Sequence, residues 1–263
     1  MFEVIKRMIA MLLAAMMCLC AAGAYAEEDE DMVVGIIAAM ESEIAAIKDA
    51  EQIESTYSVA GLDFCVGKIG DVDVVTVQCG EGKVNAALAT QILIDRFGVN
   101  ELINIGCAGS LNDTLDIGDF VVSSEVVQHD FDVTALGYEM GEISSLGTVA
   151  FKADESLIAY ACDAIAAVAP ERTVVTGRVC TGDLFVSTAE QKQTIIDNFA
   201  GDCAEMEGAA VGQVASLNDV PFVVIRAMSD KADSAADFTQ YVDEVTREGA
   251  EVVVKMVELM EGK

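Results

Sequence analysis

Pro221-Phe222-Val223-Val224-Ile225-Arg226-Ala227-Met228-Ser229-Asp230 is apolar for most of its length, β-branched at three positions, and ends on a hydroxyl and an acid. Its apolar run, Phe222 to Met228, short and preceded by a proline, predicts a buried strand. Six upstream runs are of the same kind: Val33 to Ala38, Asp63 to Lys68, Val72 to Gln78, Leu102 to Ile105, Phe120 to Val127 and Thr173 to Val179. Among and after them, Lys83 to Phe97, Ser156 to Val168, Glu190 to Phe199, Gly208 to Leu217 and Val242 to Met260 carry apolar residues at helical spacing. The alternation predicts an α/β fold in which helices flank a mixed, largely parallel central sheet. No internal repeat, linker or change of composition divides the chain, so a single domain over 27–263 is expected.

Composition narrows the class of function. The 263 residues are 53% hydrophobic with only 2 prolines, which excludes a disordered or collagen-like chain. Lys and Arg total 15 against 45 Asp and Glu, a net charge of -30, so no basic surface exists to neutralise a nucleic-acid backbone. No nucleic-acid partner is expected. At the N-terminus Lys6 and Arg7 precede an apolar run from Met8 to Ala22, followed by Ala24-Tyr25-Ala26 and five consecutive acids, Glu27 to Asp31. This is the pattern of a secretory signal cleaved after Ala26, which predicts an exported protein, periplasmic or extracellular. Cys18 and Cys20 lie in that segment. The other six cysteines, Cys65, Cys79, Cys107, Cys162, Cys180 and Cys203, sit mostly in apolar runs without C-x-x-C spacing and are expected to be mostly free thiols. With His129 as the single histidine, neither a metal site nor a cofactor is expected.

In a parallel sheet, ligands gather beyond the carboxyl ends of the strands. Three such places are acidic: Glu41-Ser42-Glu43 after the first run, Glu205-Met206-Glu207 before a helix, and Ser229-Asp230 after the last. Helix starts favour acids through capping and the helix dipole, so any one of these carboxylates is equally explained without a ligand. Three together favour chemistry. Gly80-Glu81-Gly82-Lys83 is not a phosphate loop, because Val77 and Val84 stand where a glycine and a Ser/Thr are required. In Ile105-Gly106-Cys107-Ala108-Gly109 the small residues would let a flat ligand approach the backbone, and a tight turn explains them equally well.

Read in order, Gly35-Ile36-Ile37-Ala38-Ala39-Met40-Glu41-Ser42-Glu43, Gly82-Lys83-Val84-Asn85-Ala86-Ala87 and His129-Asp130-Phe131-Asp132-Val133-Thr134-Ala135 resemble the 5′-methylthioadenosine/S-adenosylhomocysteine nucleosidases. Thr181-Gly182-Asp183-Leu184-Phe185, Glu205-Met206-Glu207-Gly208-Ala209-Ala210 and Pro221 to Asp230 continue that resemblance through the rest of the chain. It implies a nucleoside phosphorylase-like fold, a homodimer, and hydrolysis of the bond between adenine and a 5′-thio-substituted ribose. By the same resemblance, Asp230 is the acid that protonates adenine N7, with Ser229 orienting its carboxyl. Glu43 holds and activates water. Glu207 accepts from the ribose hydroxyls and Arg226 orients Glu207. Phe185 stacks on adenine, Val186 offers backbone groups to its edge, Met40 and Met206 pack around the ribose, and Cys107, Ala108 and Gly109 form a small-residue wall. Val133, Leu136 and Tyr138 belong to the segment that reaches the partner subunit's 5′ pocket, and Phe238 covers that pocket.

Departures from the family pattern concentrate at the 5′ pocket. Glu81 stands where an apolar residue is usual, Leu136 and Ser144 replace an aromatic and a proline, and Cys107 replaces a common serine. Glu81 either faces solvent or points inward. Inward, its carboxylate would disfavour a thiomethyl group by about 1 to 3 kcal/mol and would pair with the ammonium of a homocysteine, tilting specificity towards polar 5′ substituents. Two rival functions stay open: a phosphate-dependent purine nucleoside phosphorylase, for which the glycine turns supply no arginine, and a non-catalytic exported nucleoside-binding protein.

Overall fold

The structure, a computed structural model, describes residues 31–233 and 235–262, so the expected leader over 1–26 lies outside the described residues. Val33–Ala38 (β1) is buried from its second residue onward and pairs in parallel with Val72–Gln78 (β4) on one side and Glu101–Ser110 (β5) on the other. Strand β5 also runs parallel to Phe222–Asp230 (β10), every residue of which is buried. That burial is why β10 reads as a nearly unbroken apolar run: helices cover both faces of a parallel centre.

Beyond β10 lies Phe120–Gln128 (β6), antiparallel to it, then Val174–Thr181 (β8) parallel to β6, then the three-residue Cys203–Glu205 (β9) parallel to β8. Strand β9 returns to the far end of β5 through Gly109↔Ala204 and Ser110↔Cys203. The sheet therefore closes on itself through β5, β10, β6, β8 and β9. The carboxyl ends of β5, β8, β9 and β10 are drawn together around one point. Antiparallel pairing elsewhere is peripheral: Gln52–Val59 (β2) and Leu62–Ile69 (β3) form a hairpin outside β4, and Ala150–Lys152 (β7) adds to β6.

Six helices among the described residues enclose this sheet. Glu41–Ala50 (α1), Glu155–Val168 (α3) and Ala235–Leu259 (α6) share one apolar cluster, with Ile44, Ile47, Leu157, Ile165, Val253 and Met256 buried in it. Lys83–Phe97 (α2) and Gly208–Leu217 (α5) cover the other face through Ala86, Leu93, Ala209 and Val211. Ala189–Phe199 (α4) packs Ile195 and Phe199 against Val127 and Cys180 in a smaller cluster. The six cysteines among the described residues are free thiols.

The strands and helices read from the sequence are present, most of them within a few residues; β5 runs on past Ile105 to Ser110. Four elements carried too little signal: α1, β2, β7 and β9. Strand β2 is an exposed edge, with Ile53 and Tyr57 open to solvent, so it lacks an apolar run. Strands β7 and β9 have three residues each. Helix α6 begins at Ala235 and not at Val242; its first buried residue is Val245, so the first two turns bury no apolar stripe that would mark them in the sequence.

Candidate active site

The turn from β1 into α1 places Glu43 in the first turn of that helix, where its Oε2 accepts from the backbone N–H groups of Ala39 at 2.9 Å and Met40 at 2.8 Å. Its Oε1 accepts from Cys107 N at 3.0 Å, across from β5. Glu43 thus serves its own helix start and still faces a cavity. Burial, the largest influence, pushes its carboxyl above the usual range against the pull of Arg226 and the three N–H groups.

Asp230, the last residue of β10, is 2% exposed. Its Oδ1 accepts from Ala232 N at 2.7 Å, and its Oδ2 lies 2.8 Å from Ser229 Oγ. Ser229 Oγ also lies 3.3 Å from the Ala108 carbonyl. With its one proton the serine can donate to that carbonyl and accept from a protonated Asp230, so the geometry suits a neutral aspartic acid. Burial raises the Asp230 pKa; the bond from Ala232, and that from Ser229 when its hydroxyl donates to the ionised form, oppose it, and Asp237 and Asp233 add to it.

Glu207 immediately precedes α5, and its Oε1 accepts from Gly82 N at 2.8 Å. That N–H belongs to the start of α2, a helix with no acid in its own first turn. Asp183 Oδ1 accepts from the next one, Lys83 N, at 2.9 Å. Helix α2 therefore draws both carboxylates at its positive end from distant segments. Burial, and next the charge of Glu205, push the Glu207 pKa up to about 8, against Arg226 and the Gly82 N–H.

Glu43, Glu207 and Asp230 line one cavity of about 310 Å³. Met40, Glu81, Cys107, Ala108, Gly109, Phe185, Met206, Ser229 and Phe238 line it too, as does Glu205, for which the sequence suggested no role. No lysine or arginine is among the described residues lining it. The small residues of β5 line the cavity and have a further role. A Cβ on Gly109 would lie 2.8 Å from Asp230 Oδ1, and one on Gly106 would lie 2.9 Å from Glu43 Oε1. Their lack of a side chain admits two carboxyl groups to the backbone of β5, in addition to opening a wall to a ligand.

Other expected residues stand outside the cavity. Val186 does not line it; its side chain is buried with Phe199 and Ala204. Val133, Leu136 and Tyr138 lie away from it around a short 3₁₀ turn, with Leu136 75% and Tyr138 42% exposed. Arg226 also lies behind the cavity wall, at ion-pair distance from its expected partner Glu207 and closer still to a second carboxylate. The Arg226 guanidinium is fully buried and bonds directly to Glu205, through Nε at 3.1 Å and through Nη2, while Glu207 Oε2 stands 3.8 Å away. Asn104 accepts from the same guanidinium through its side chain at 2.6 Å. Thr181 Oγ1, Glu207 N at 3.1 Å and Gly208 N at 2.8 Å donate to Glu205 as well. Glu205 is therefore the counter-ion of Arg226 and the cap of α5, and it fixes the backbone from which Glu207 projects. Its place two residues before Glu207 was the only sequence sign of this role.

A second network, also without an assigned role in the sequence, ties the glycine turn to the Phe185 loop. Lys83 Nζ donates to Asp130 Oδ1 at 2.6 Å, and Asp130 Oδ2 accepts from Asp183 N at 2.9 Å. Phe185 meets Phe238 edge-on, 5.3 Å between ring centres, at the cavity mouth.

The sequence profile of the phosphorylase superfamily matches residues 33–260. A 5′-methylthioadenosine/S-adenosylhomocysteine nucleosidase of Shewanella pealeana is 41% identical over 230 residues, covering 86% of this chain and 99% of that one. The crystal structure of a nucleosidase of the same description from Colwellia psychrerythraea, in complex with adenine, is 40% identical with a TM-score of 0.85, covering 89% of this chain and 98% of that one. The futalosine hydrolase of Helicobacter pylori is 29% identical with a TM-score of 0.82, covering 87% and 98%.

Proposed function

The chain belongs to the 5′-methylthioadenosine/S-adenosylhomocysteine nucleosidases of the phosphorylase superfamily, and from that premise we propose how its cavity carboxylates divide the reaction. It is a hydrolase of N-glycosyl compounds, releasing adenine from a 5′-thio-substituted nucleoside. Such a bond breaks through an oxocarbenium-like ribosyl group, so adenine must leave neutral, the cation needs an anionic neighbour, and water must arrive on the opposite face. Asp230, buried and suited to hold a proton, gives it to adenine N7. Glu43, in its carboxylate form, takes a proton from the attacking water. Glu207 accepts from the ribose 2′- and 3′-hydroxyls; two added donors favour its ionised form, which sets negative charge beside the developing cation.

The observation that carries this reading is that all three acids face one cavity with no cationic side chain among its described lining residues. A phosphate nucleophile would meet carboxylates there, and Arg226, the nearest guanidinium, is committed to Glu205 and Asn104. Adenine release from methylthioadenosine, adenosylhomocysteine and 5′-deoxyadenosine, followed without and with phosphate, tests it. The expected rate is independent of phosphate. A requirement for phosphate would identify a phosphorylase, and tight binding without release a nucleoside-binding protein.

The reading extends to assembly and location. Exposed Leu136 and Tyr138, apolar or aromatic side chains on a segment outside their own cavity, support a homodimer in which that segment borders the partner's site. The mass in solution checks this. The family match begins at residue 33 and leaves the apolar stretch at 8–22 outside it, which supports an exported enzyme whose leader is removed after Ala26. Sequencing the N-terminus of the secreted protein reads the cleavage site.

A further inference from the structure

The cavity has two unlike ends. Glu43, Glu207 and Asp230 are all less than a tenth exposed, whereas Glu81, Phe185 and Phe238 stand at the opening with solvent access. Glu81 follows Gly80, whose φ of +83° turns the chain, and precedes Gly82, whose N–H is bonded to Glu207. The backbone carbonyl of Glu81 accepts from Asn85 Nδ2 at 2.7 Å, which fixes the turn. Among the described residues nothing bonds the Glu81 carboxylate, and the neighbouring cation, Lys83, is engaged by Asp130 and Gln128. The mouth thus pairs an uncommitted carboxylate with two aromatic rings, both of which attract an organic cation and neither of which welcomes an anion.

Resting on the function proposed above, we infer that Glu81 is a specificity-determining residue that favours 5′-thioadenosine substrates whose substituent ends in an ammonium group. The buried end, shared by all such substrates, performs the same chemistry on each. Discrimination arises at the mouth, where a methylthio group leaves the carboxylate without a partner, an aminoalkylthio group pairs with it, and a carboxyalkylthio group is repelled. A homocysteinyl substituent carries both charges and falls between the two. Because the pair is partly open to water, its contribution is modest and weakens with salt.

The test compares kcat/KM for the 5′-(3-aminopropyl)thio, homocysteinyl, methylthio and 5′-(2-carboxyethyl)thio adenosines in the full chain and in its Glu81→Gln and Glu81→Lys variants. In the unmodified enzyme the aminopropyl substrate is expected to lead the carboxyethyl one. The aminopropyl-to-methylthio ratio should fall about three- to five-fold in Glu81→Gln, the size of a partly exposed ion pair. In Glu81→Lys the order of the amine and acid should invert, and the preference of the unmodified enzyme should shrink at high salt. Ratios that are the same in all three proteins would overturn the assignment of Glu81 while leaving the hydrolase intact. No adenine release from any substrate by the unmodified chain would overturn it together with the function on which it rests.

Discussion

Helix α1 carries a buried glutamate at each end, and the two ends differ in everything but burial. Glu43, in the first turn, is 3% exposed; Glu51, just past the last, is 7% exposed. Burial raises the pKa of both, that of Glu51 to about 7 with Thr76 and Lys48 opposing. At Glu43, three backbone donors hold the two oxygens and the group faces the cavity that Glu207 and Asp230 share. At Glu51, Thr76 Oγ1 donates to one oxygen at 2.7 Å, and the other oxygen has no hydrogen-bond partner. A shifted pKa alone therefore does not mark a catalytic acid. A cavity beside it, and further acids converging on that cavity, do.

The contrast is sharpest in substitutions. Asp230→Asn and Glu43→Gln are each expected to lower kcat for adenine release by about 10²- to 10⁴-fold, since each removes a proton-transfer group. Glu51→Gln should leave kcat within about two-fold, because no reacting group meets it. Steady-state assays of the three variants side by side would break the comparison if Glu51→Gln joined the inactive pair.

A smaller effect is expected from Glu205→Gln. Loss of that charge removes the nearest counter-ion of Arg226 in the interior, which should cost about 3 to 5 kcal/mol of stability by denaturant titration. It also frees Arg226 to act on Glu43 and Glu207, whose pKa values should fall. The unmodified enzyme needs Glu43 and Glu207 ionised and Asp230 protonated, so kcat/KM rises with pH through the two glutamates and falls through the aspartic acid. In Glu205→Gln the rising limb should move to lower pH, with kcat reduced about 10- to 100-fold by displacement of Glu207. An unshifted limb would make Glu205 a scaffold residue only.

Stability provides the smallest test. Because the folded-state pKa of Glu51 lies above its unfolded value, the folded chain binds the extra proton between about pH 4.5 and pH 7. Its contribution is full below that window and is lost as pH rises through it. Unfolding free energies from pH 4.5 to 8 should therefore decline in the unmodified protein by about 1 to 3 kcal/mol from this group, and Glu51→Gln should remove that part of the decline.

Much of the sheet was legible because strands buried on both faces have little choice of residue: β1 and β4 match their apolar runs end to end, and β10 differs only by Ser229 and Asp230. The edge strand β2 and the three-residue β9 were not, since neither buries enough to constrain its side chains. The candidate acids were visible for a related reason: Glu43 and Asp230 stand where an apolar run gives way to polar residues, and Glu207 stands where a helical pattern begins. Glu205 was hidden behind its neighbour Glu207: its capping of α5 is local, but its pairing with Arg226 joins residues 21 positions apart in the chain.

The chain's own order of residues determined the α/β class, the absence of a basic surface, and the three acids at strand ends or helix starts, because apolar spacing and net charge are local or additive properties. The tertiary structure alone decided that those acids share a cavity, that Glu205 approaches Arg226 more closely than Glu207 does, and that Glu81 stands at the mouth. The physical reason is that desolvation and Coulomb interaction are set by what lies within a few ångströms, and the closed path of β5, β10, β6, β8 and β9 is what brings distant segments that near.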